Sequence, residues 1–243
     1  MKKLVKFSFS RFAESYEREA FLQKEAAQIL ADFSKDLKGK GIDLGCGTGF
    51  LYDFLENKNL IGVDISKEML SFYTKRNKNS VLADIEHLPF KKESFDFAVS
   101  NFSLHWTDLK KSFQEIYRVL KKNGKFIFNI PFEGSLESIR QITGDIYFDF
   151  LCIPDILKIL KGSGFSIEDF FKAELELEFE NGYQLLSHLH KTGVSIGSKE
   201  TSLAEKRKIV KQFKEYNKTV PLNFNLLFVK AYKKKGGWKW KLK

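Results

Sequence analysis

Apolar residues recur along this chain in two distinct rhythms. Between Glu14 and Phe33, Tyr16, Ala20, Ala27 and Leu30 are spaced by four, seven and three positions, which places them on one face of a single helix. From Lys40 onward, short apolar runs alternate with amphipathic stretches. Strands are expected at Lys40–Leu44, Asn59–Asp64, Ser80–Asp84, Phe95–Ser100 and Lys125–Ile130. Between them, a loop at Gly45–Gly49 leads into a helix through Phe54. Ser66 has the position of an N-cap for a helix carrying Met69, Leu70 and Tyr73. Leu109, Phe113, Ile116, Tyr117 and Leu120 share one helical face, which Asn123-Gly124 is expected to close. Strands separated regularly by helices imply crossover connections and a parallel sheet.

Beyond Pro131 the regularity weakens. A helix is expected near Pro154–Lys161. Ala173–Glu180 alternates apolar and acidic positions as a strand with one solvent-facing side, and Gly182–Lys191 and Thr201–Tyr216 read as helices. A last strand starts at Pro221, where Leu222, Phe224 and Leu226 alternate with asparagines. The pattern implies an α/β, doubly wound, seven-stranded and mostly parallel sheet. One domain is expected over 1–232, with a helical N-terminal cover over 1–38, a helical insertion at about 181–217 and a basic tail at 233–243. A chain of 243 residues is long enough for one such core.

Composition changes this picture little. The 25 phenylalanines read as aromatic core packing rather than as the wall of a substrate cavity. Only Cys46 and Cys152 are present, in no CxxC pair, which fits a reducing compartment and offers neither a zinc framework nor a disulfide framework. The basic N-terminus lacks a long apolar run and a cleavage site, so a cytoplasmic location is expected. His188 and His190 are two apart on a helix and do not share a face, so no metal site is expected. The formal net charge of +10 favours acidic partners. Its most polarised stretch, KKKGGWKWKLK at the C-terminus, reads as a solvated tail, although Trp238 and Trp240 would also suit a membrane interface. The paired lysines along the chain are solvated faces, and no nucleic-acid module is recognisable.

The candidate chemistry lies at the carboxyl ends of the expected strands, where open α/β sheets bind ligands. Asp43-Leu44-Gly45-Cys46-Gly47-Thr48-Gly49 ends the first; its glycines permit a sharp turn and close approach to a ligand. The spacing is GxGxG, not the GxGxxG of dinucleotide sites, and Asp43 is placed to reach an ammonium group. Asp64 ends the second strand 19 residues after Gly45 and can accept both hydroxyls of a ribose. Asp84 and Ile85 follow the third strand, suited to an exocyclic amine and to packing on a purine. Asn101 and the run through His105-Trp106 follow the fourth, where His105 either lines a pocket or packs on Trp106. His87 has no evident role.

Taken in order, IDLGCGTG, GVDISKEML, ADIEHLPF, FDFAVSNFSLHW and FQEIYRVLKKNGKFIF resemble the class I S-adenosylmethionine-dependent methyltransferase family over about Lys40 to Ile130. The resemblance implies S-adenosylmethionine as cofactor. Asp43, Gly45, Cys46, Gly47 and Gly49 would then contact its methionine part, and Asp64 its ribose with Ile65 and Met69 nearby. Asp84 and Ile85 would flank the adenine, and Asn101 would line the methionine side through its backbone. A narrower resemblance is to the malonyl-[acyl-carrier protein] O-methyltransferases of biotin synthesis. It rests on SFSRFAESYEREAFLQKEAAQIL, LLSHLHKTGVSIG and VPLNFNLLFVKAY, and it is loosest over Phe132–Asp155.

That narrower resemblance implies methylation of the free carboxylate of a malonyl thioester, on an acidic acyl-carrier protein or on malonyl-CoA, by a monomer without stable membrane attachment. Such a carboxylate is ionised at neutral pH, so no general base is needed, and no catalytic residue is named. Arginine suits the task of orienting it. Arg140 is the candidate, an exposed helix position being the alternative, and Tyr16 is the candidate lid residue, with His105 and Trp106 beside the acceptor. Two other readings stay open: a different small-molecule or lipid-quinone methyltransferase, and a binding protein with a methyltransferase-like core.

Overall fold

The computed structural model describes residues 2–144, 149–193 and 202–234. The chain opens with helices α1 (Lys2–Glu19) and α2 (Phe21–Asp32), then runs through β1 (Gly41–Leu44), α3 (Phe50–Phe54), β2 (Leu60–Asp64), α4 (Lys67–Arg76), β3 (Ser80–Leu82) and β4 (Phe95–Ser100). There follow α5 (Leu109–Val119), β5 (Leu120–Pro131), α6 (Glu137–Thr143), α7 (Ile153–Gly162), β6 (Phe165–Phe179), α8 (Gly182–Lys191), α9 (Leu203–Glu215) and β7 (Val220–Lys233). All seven strands form one sheet in the order β3-β2-β1-β4-β5-β7-β6. β1 to β5 pair in parallel, and β7 runs antiparallel to both β5 and β6. The doubly wound, mostly parallel seven-stranded sheet is as expected.

Each face of the sheet carries its own core. On β5 and β7 the period of two divides the apolar residues between them. Ile127, Leu226 and Phe228 pack on one side with Leu22, Ala26, Leu30 and Phe213. Phe126, Phe128, Leu227 and Val229 pack on the other with Phe113, Ile116 and Ile156. Most of the phenylalanines are spent on these two layers, in ring pairs such as Phe126–Phe128 at 4.6 Å and Phe171–Phe228 at 4.8 Å.

Several boundaries differ from expectation for physical reasons. The single N-terminal helix is two helices, broken at Ala20, where ψ turns to 58°. α2 lays Leu22, Ala26, Ala27 and Leu30 on the sheet, while α1 leaves it to bridge α4 and α8. On one side of α1, Ser10 Oγ lies 3.0 Å from Ser66 Oγ; on the other, Ser8 and Ser15 donate to the carbonyls of Gly193 and Lys191. Helix α5 stops at Val119, before Asn123-Gly124, because Leu120 is already extended and pairs with Phe95. Asn123-Gly124 instead makes a turn within β5, with Asn123 at φ 63°. The third strand ends at Leu82, two residues short of Asp84.

β6 begins at Phe165 rather than Ala173; a register shift between Ile167 and Asp169 breaks the alternation that would have marked its first half. Lys233, assigned to the tail by sequence, ends β7 and donates to the Leu120 carbonyl at 2.7 Å. The rest of the tail, with Trp238 and Trp240, lies outside the described residues, as do Thr201 and the VSIG run at 194–197. No helix among the described residues is long and apolar enough to cross a membrane.

The middle of the sheet leaves no slack. A Cβ placed on Gly41 of β1 would lie 2.2 Å from the buried ring of Phe97 and 2.7 Å from Leu60. Gly41→Ala is therefore expected to lower stability by about 1–3 kcal/mol through overpacking, read as a lower urea midpoint with an unchanged slope.

Candidate active site

Strands β1, β2 and β4, the segment after β3, and helix α1 converge on a crevice of about 720 Å³. Gly45 and Gly47 form its floor, both at positive φ (66° and 54°), a conformation open to glycine without strain. A Cβ on Gly45 would strike Ser103 at 2.3 Å, whereas one on Gly47 would project into open space. Gly47 thus forms a cradle that a side chain would fill. Asp64, Ile65, Met69, Asp84, Ile85 and Asn101 line the same crevice, so the structure brings together eight of the eleven residues nominated for the cofactor.

The other three, Asp43, Cys46 and Gly49, lie behind that floor. Gly49 caps α3 next to Arg76. Cys46 packs with Leu70 and Tyr73, and burial pushes its thiol pKa up, so it is an inert packing group. Asp43 is 1% exposed, and both its carboxylate oxygens lack any hydrogen-bond partner, as does the buried Thr48 hydroxyl. Burial, with Asp64 nearby, pushes the Asp43 pKa up to about 8. An uncompensated buried acceptor beneath a glycine cradle is chemically suited to the ammonium of a methionine moiety.

The carboxylates at the strand ends also hold the site's shape. Asp64 Oδ2 accepts the Gly47 N–H at 2.9 Å and Oδ1 accepts the Ser66 N–H at 2.8 Å. Burial raises the Asp64 pKa, and these N–H bonds oppose that rise. Ser66 in turn caps α4 by accepting the Met69 N–H, as its position predicted, which brings Met69 to the crevice wall. Asp84 accepts the Glu86 N–H at 3.0 Å and shapes the turn that carries Ile85. The exposed His87 is 3.9 Å from Asp84.

Four residues to which the sequence assigned no role position the site. Asn129, fully buried on β5, accepts the Phe102 N–H at 2.8 Å and donates to Asn101 Oδ1 at 2.6 Å. It thereby holds Phe102 at φ 54°, a strained conformation for a bulky residue. Asn101 donates onward to the Gln23 carbonyl at 2.9 Å. Arg76, at the end of α4, pairs with Glu17 on α1 and with Asp53, and donates to the Thr48 carbonyl at 3.0 Å. Ser103 and Ser100 both donate to the Leu44 carbonyl at 2.9 Å. An asparagine within an apolar run was the one visible signal for Asn129; nothing local marks Arg76.

A second chamber of about 380 Å³ shares Phe9, Tyr16, Phe102 and Trp106 with the crevice. His105, Leu136, Phe150 and Phe224 add to its wall, with Gln23 and Thr192 as polar members. Tyr16, His105 and Trp106 therefore line one chamber. Tyr16 stacks on Phe50 at 5.8 Å and meets Phe9 edge-on at 5.9 Å. Its hydroxyl pKa is raised, by burial first and then by Asp64 and Glu17. Arg140 does not join them. The buried face of α6 carries Ser138, Ile139, Ile142 and Thr143, which turns Arg140 outward, 56% exposed and 3.8 Å from Glu137. No lysine or arginine lines either chamber among the described residues. Nor do those residues hold a cluster suited to a metal ion.

Comparison with known proteins bears on this geometry. Residues 42–128 match the family described as "Methyltransferase domain". A malonyl-[acyl-carrier protein] O-methyltransferase of Hamiltonella defensa is 37% identical over 146 residues, which span 58% of this chain and 57% of that relative. An uncharacterized protein of Methanocaldococcus jannaschii is 35% identical over 170 residues, 65% of this chain and 80% of its own. The fold is shared with the YcgJ protein of a Bacillus at a TM-score of 0.63 and 16% identity, over 87% of this chain and all of that one. Residues 42–128 thus carry a methyltransferase domain, on a seven-stranded sheet with the fold of class I methyltransferases.

Proposed function

We propose that this protein transfers a methyl group from S-adenosylmethionine to the free carboxylate of a malonyl thioester, carried on acyl-carrier protein or coenzyme A. The reading rests on one observation above the others: a cofactor crevice opens beside an aromatic chamber whose one imidazole among the described residues, His105, is made too weak a base by burial to take a proton from an acceptor. A carboxylate acceptor needs no base, being ionised near neutral pH. The malonyl-carrier relative points to the same acceptor, although the match covers only 57% of its length. The charge of +10 and the exposed Lys206, Arg207, Lys208, Lys211 and Lys214 of α9 suit an acidic carrier.

When bound, the cofactor supplies an electrophilic methyl on a sulfonium. The protein's task is then alignment and the exclusion of water. Asp64 and Asp84 hold the nucleoside end, Gly45 and Gly47 admit the methionine backbone, and Asp43 answers its ammonium. Tyr16, Phe9, Phe102 and Trp106 form the shared wall across which the acceptor oxygen meets the methyl. α1 closes over this wall and is tied at both edges, to α4 and to α8. The absence of a lysine or arginine from the described chamber wall favours a second reading, an uncharged apolar acceptor such as a lipid quinone.

Malonyl-carrier protein should gain a single methyl by mass spectrometry, and acetyl-carrier protein, which lacks the free carboxylate, should gain none. Raising salt above physiological levels should lower the rate at limiting carrier far more than at saturation, because screening acts on encounter. Methylation of a quinone with none on the malonyl carrier would establish the second reading instead. For the cofactor, Asp64→Ala should weaken binding at least tenfold, since it leaves hydroxyl donors and the Gly47 and Ser66 N–H groups unpaired at about 1–3 kcal/mol each.

Asp43 adds a pH signature. With its pKa near 8, this carboxyl is mostly protonated at pH 7 in the free protein and ionised beside an ammonium, so binding at pH 7 releases a proton. Affinity should therefore rise as pH approaches 8. Calorimetric heats should also vary with the ionisation heat of the buffer, a dependence that Asp43→Asn removes. Equal heats in phosphate and Tris would place the ammonium elsewhere.

A further inference from the structure

The aromatic chamber poses a problem that the proposed reaction must answer: what orients a carboxylate where no lysine or arginine lines the chamber among the described residues? We propose that His105 does so as a neutral donor, its Nδ1–H bonding the acceptor carboxylate oxygen that is not methylated. This rests on the malonyl reading above and extends it to the binding mode of the acceptor. His105 lines the chamber, and its Nδ1 is buried without a hydrogen-bond partner. Its ring is fixed by Trp106 at 4.6 Å, Phe150 at 5.9 Å and Phe102 at 6.1 Å, so the donor's position is set by packing. Burial lowers the imidazole pKa to about 3, so at neutral pH the ring carries no charge.

A neutral donor suits this chemistry better than an arginine. The acceptor's negative charge falls as the O–C bond forms. An ion pair would then be strongest before the reaction and weaker in the transition state, which raises the barrier. A neutral N–H loses less. In the overall change the carboxylate oxygen bonds to the methyl carbon, and the C–S bond breaks with its electron pair remaining on sulfur. One negative and one positive charge disappear together, and no proton moves. The ester product is neutral, can keep the same hydrogen bond through its carbonyl oxygen, and leaves no unpaired cation in an apolar chamber.

The test compares wild type with His105→Phe, which keeps a ring but removes the donor, and His105→Asn, whose amide nitrogen falls near the Nδ1 position. With malonyl-carrier protein, His105→Phe should lose roughly tenfold to a hundredfold in kcat/KM for the acceptor, the size of one hydrogen bond to a charged group. Its calorimetric Kd for S-adenosylmethionine should stay within about twofold, a change too small to reflect a lost interaction, and His105→Asn should recover most of the lost rate. In wild type, the His105 Nδ1 nitrogen resonance should shift when malonyl-carrier protein joins a complex with S-adenosylhomocysteine, a readout that needs no turnover and no folded variant.

A His105→Phe enzyme as fast as wild type, equal losses in both variants at wild-type melting temperature, or an unmoved resonance would each overturn the proposal. A wild-type enzyme that leaves the malonyl carrier unmethylated would overturn the acceptor reading itself.

Discussion

One buried carboxylate sets the geometry of the site. Asp64 accepts backbone N–H groups from Gly47 and Ser66, so the glycine loop after β1 and the start of α4 after β2 close on a single side chain. Burial makes that carboxylate costly to ionise, and the two N–H groups offset the cost. From this junction follow the open cradle at Gly47, the cap at Ser66, and the presentation of Met69 and Ile65 to the crevice. Asp64 thus holds the loop in place before any ligand arrives, which is what a site depending on alignment requires.

The parts of the fold legible in the sequence are those governed by local rules. The central parallel strands are short, largely apolar runs, β2 ending in Asp64 and β4 in Ser100, and β4 was bounded to the residue. Ser66 was recognisable as a cap because its position relative to Met69 is a local geometry. The break at Ala20 has no such mark. Alanine is a strong helix former, and only the separate burial of α1 and α2 bends the chain there. The start of β6 was hidden by its register shift, and Leu120 left α5 for a pairing with Phe95 that no local rule foretells.

The candidate site divides along the same line. The floor residues follow each strand closely in sequence, and their convergence follows from topology alone. The second chamber is assembled from Phe9, Phe102, Leu136, Phe150, Thr192 and Phe224, residues spread across nearly the whole chain. Their meeting depends on how helices pack after the sheet is made. For that reason Arg140 was a fair candidate by residue type and a poor one by position: its helix turns the opposite face inward. Four phenylalanines reading as core by composition are in fact cavity wall, since the same packing chemistry serves both.

Arg76 gives the glycine loop and helix α1 a common fastening. Its guanidinium reaches Glu17 of α1, Asp53 of α3 and the Thr48 carbonyl of the glycine loop. Recombination between relatives would meet this as a hidden seam: a cover helix imported to alter acceptor choice would have to bring its own partner for Arg76, or the loop beneath it would lose one of its anchors. Diversification of substrate in such a scaffold is then easier through the chamber walls contributed by the segments after β5 than through the helix that begins the chain.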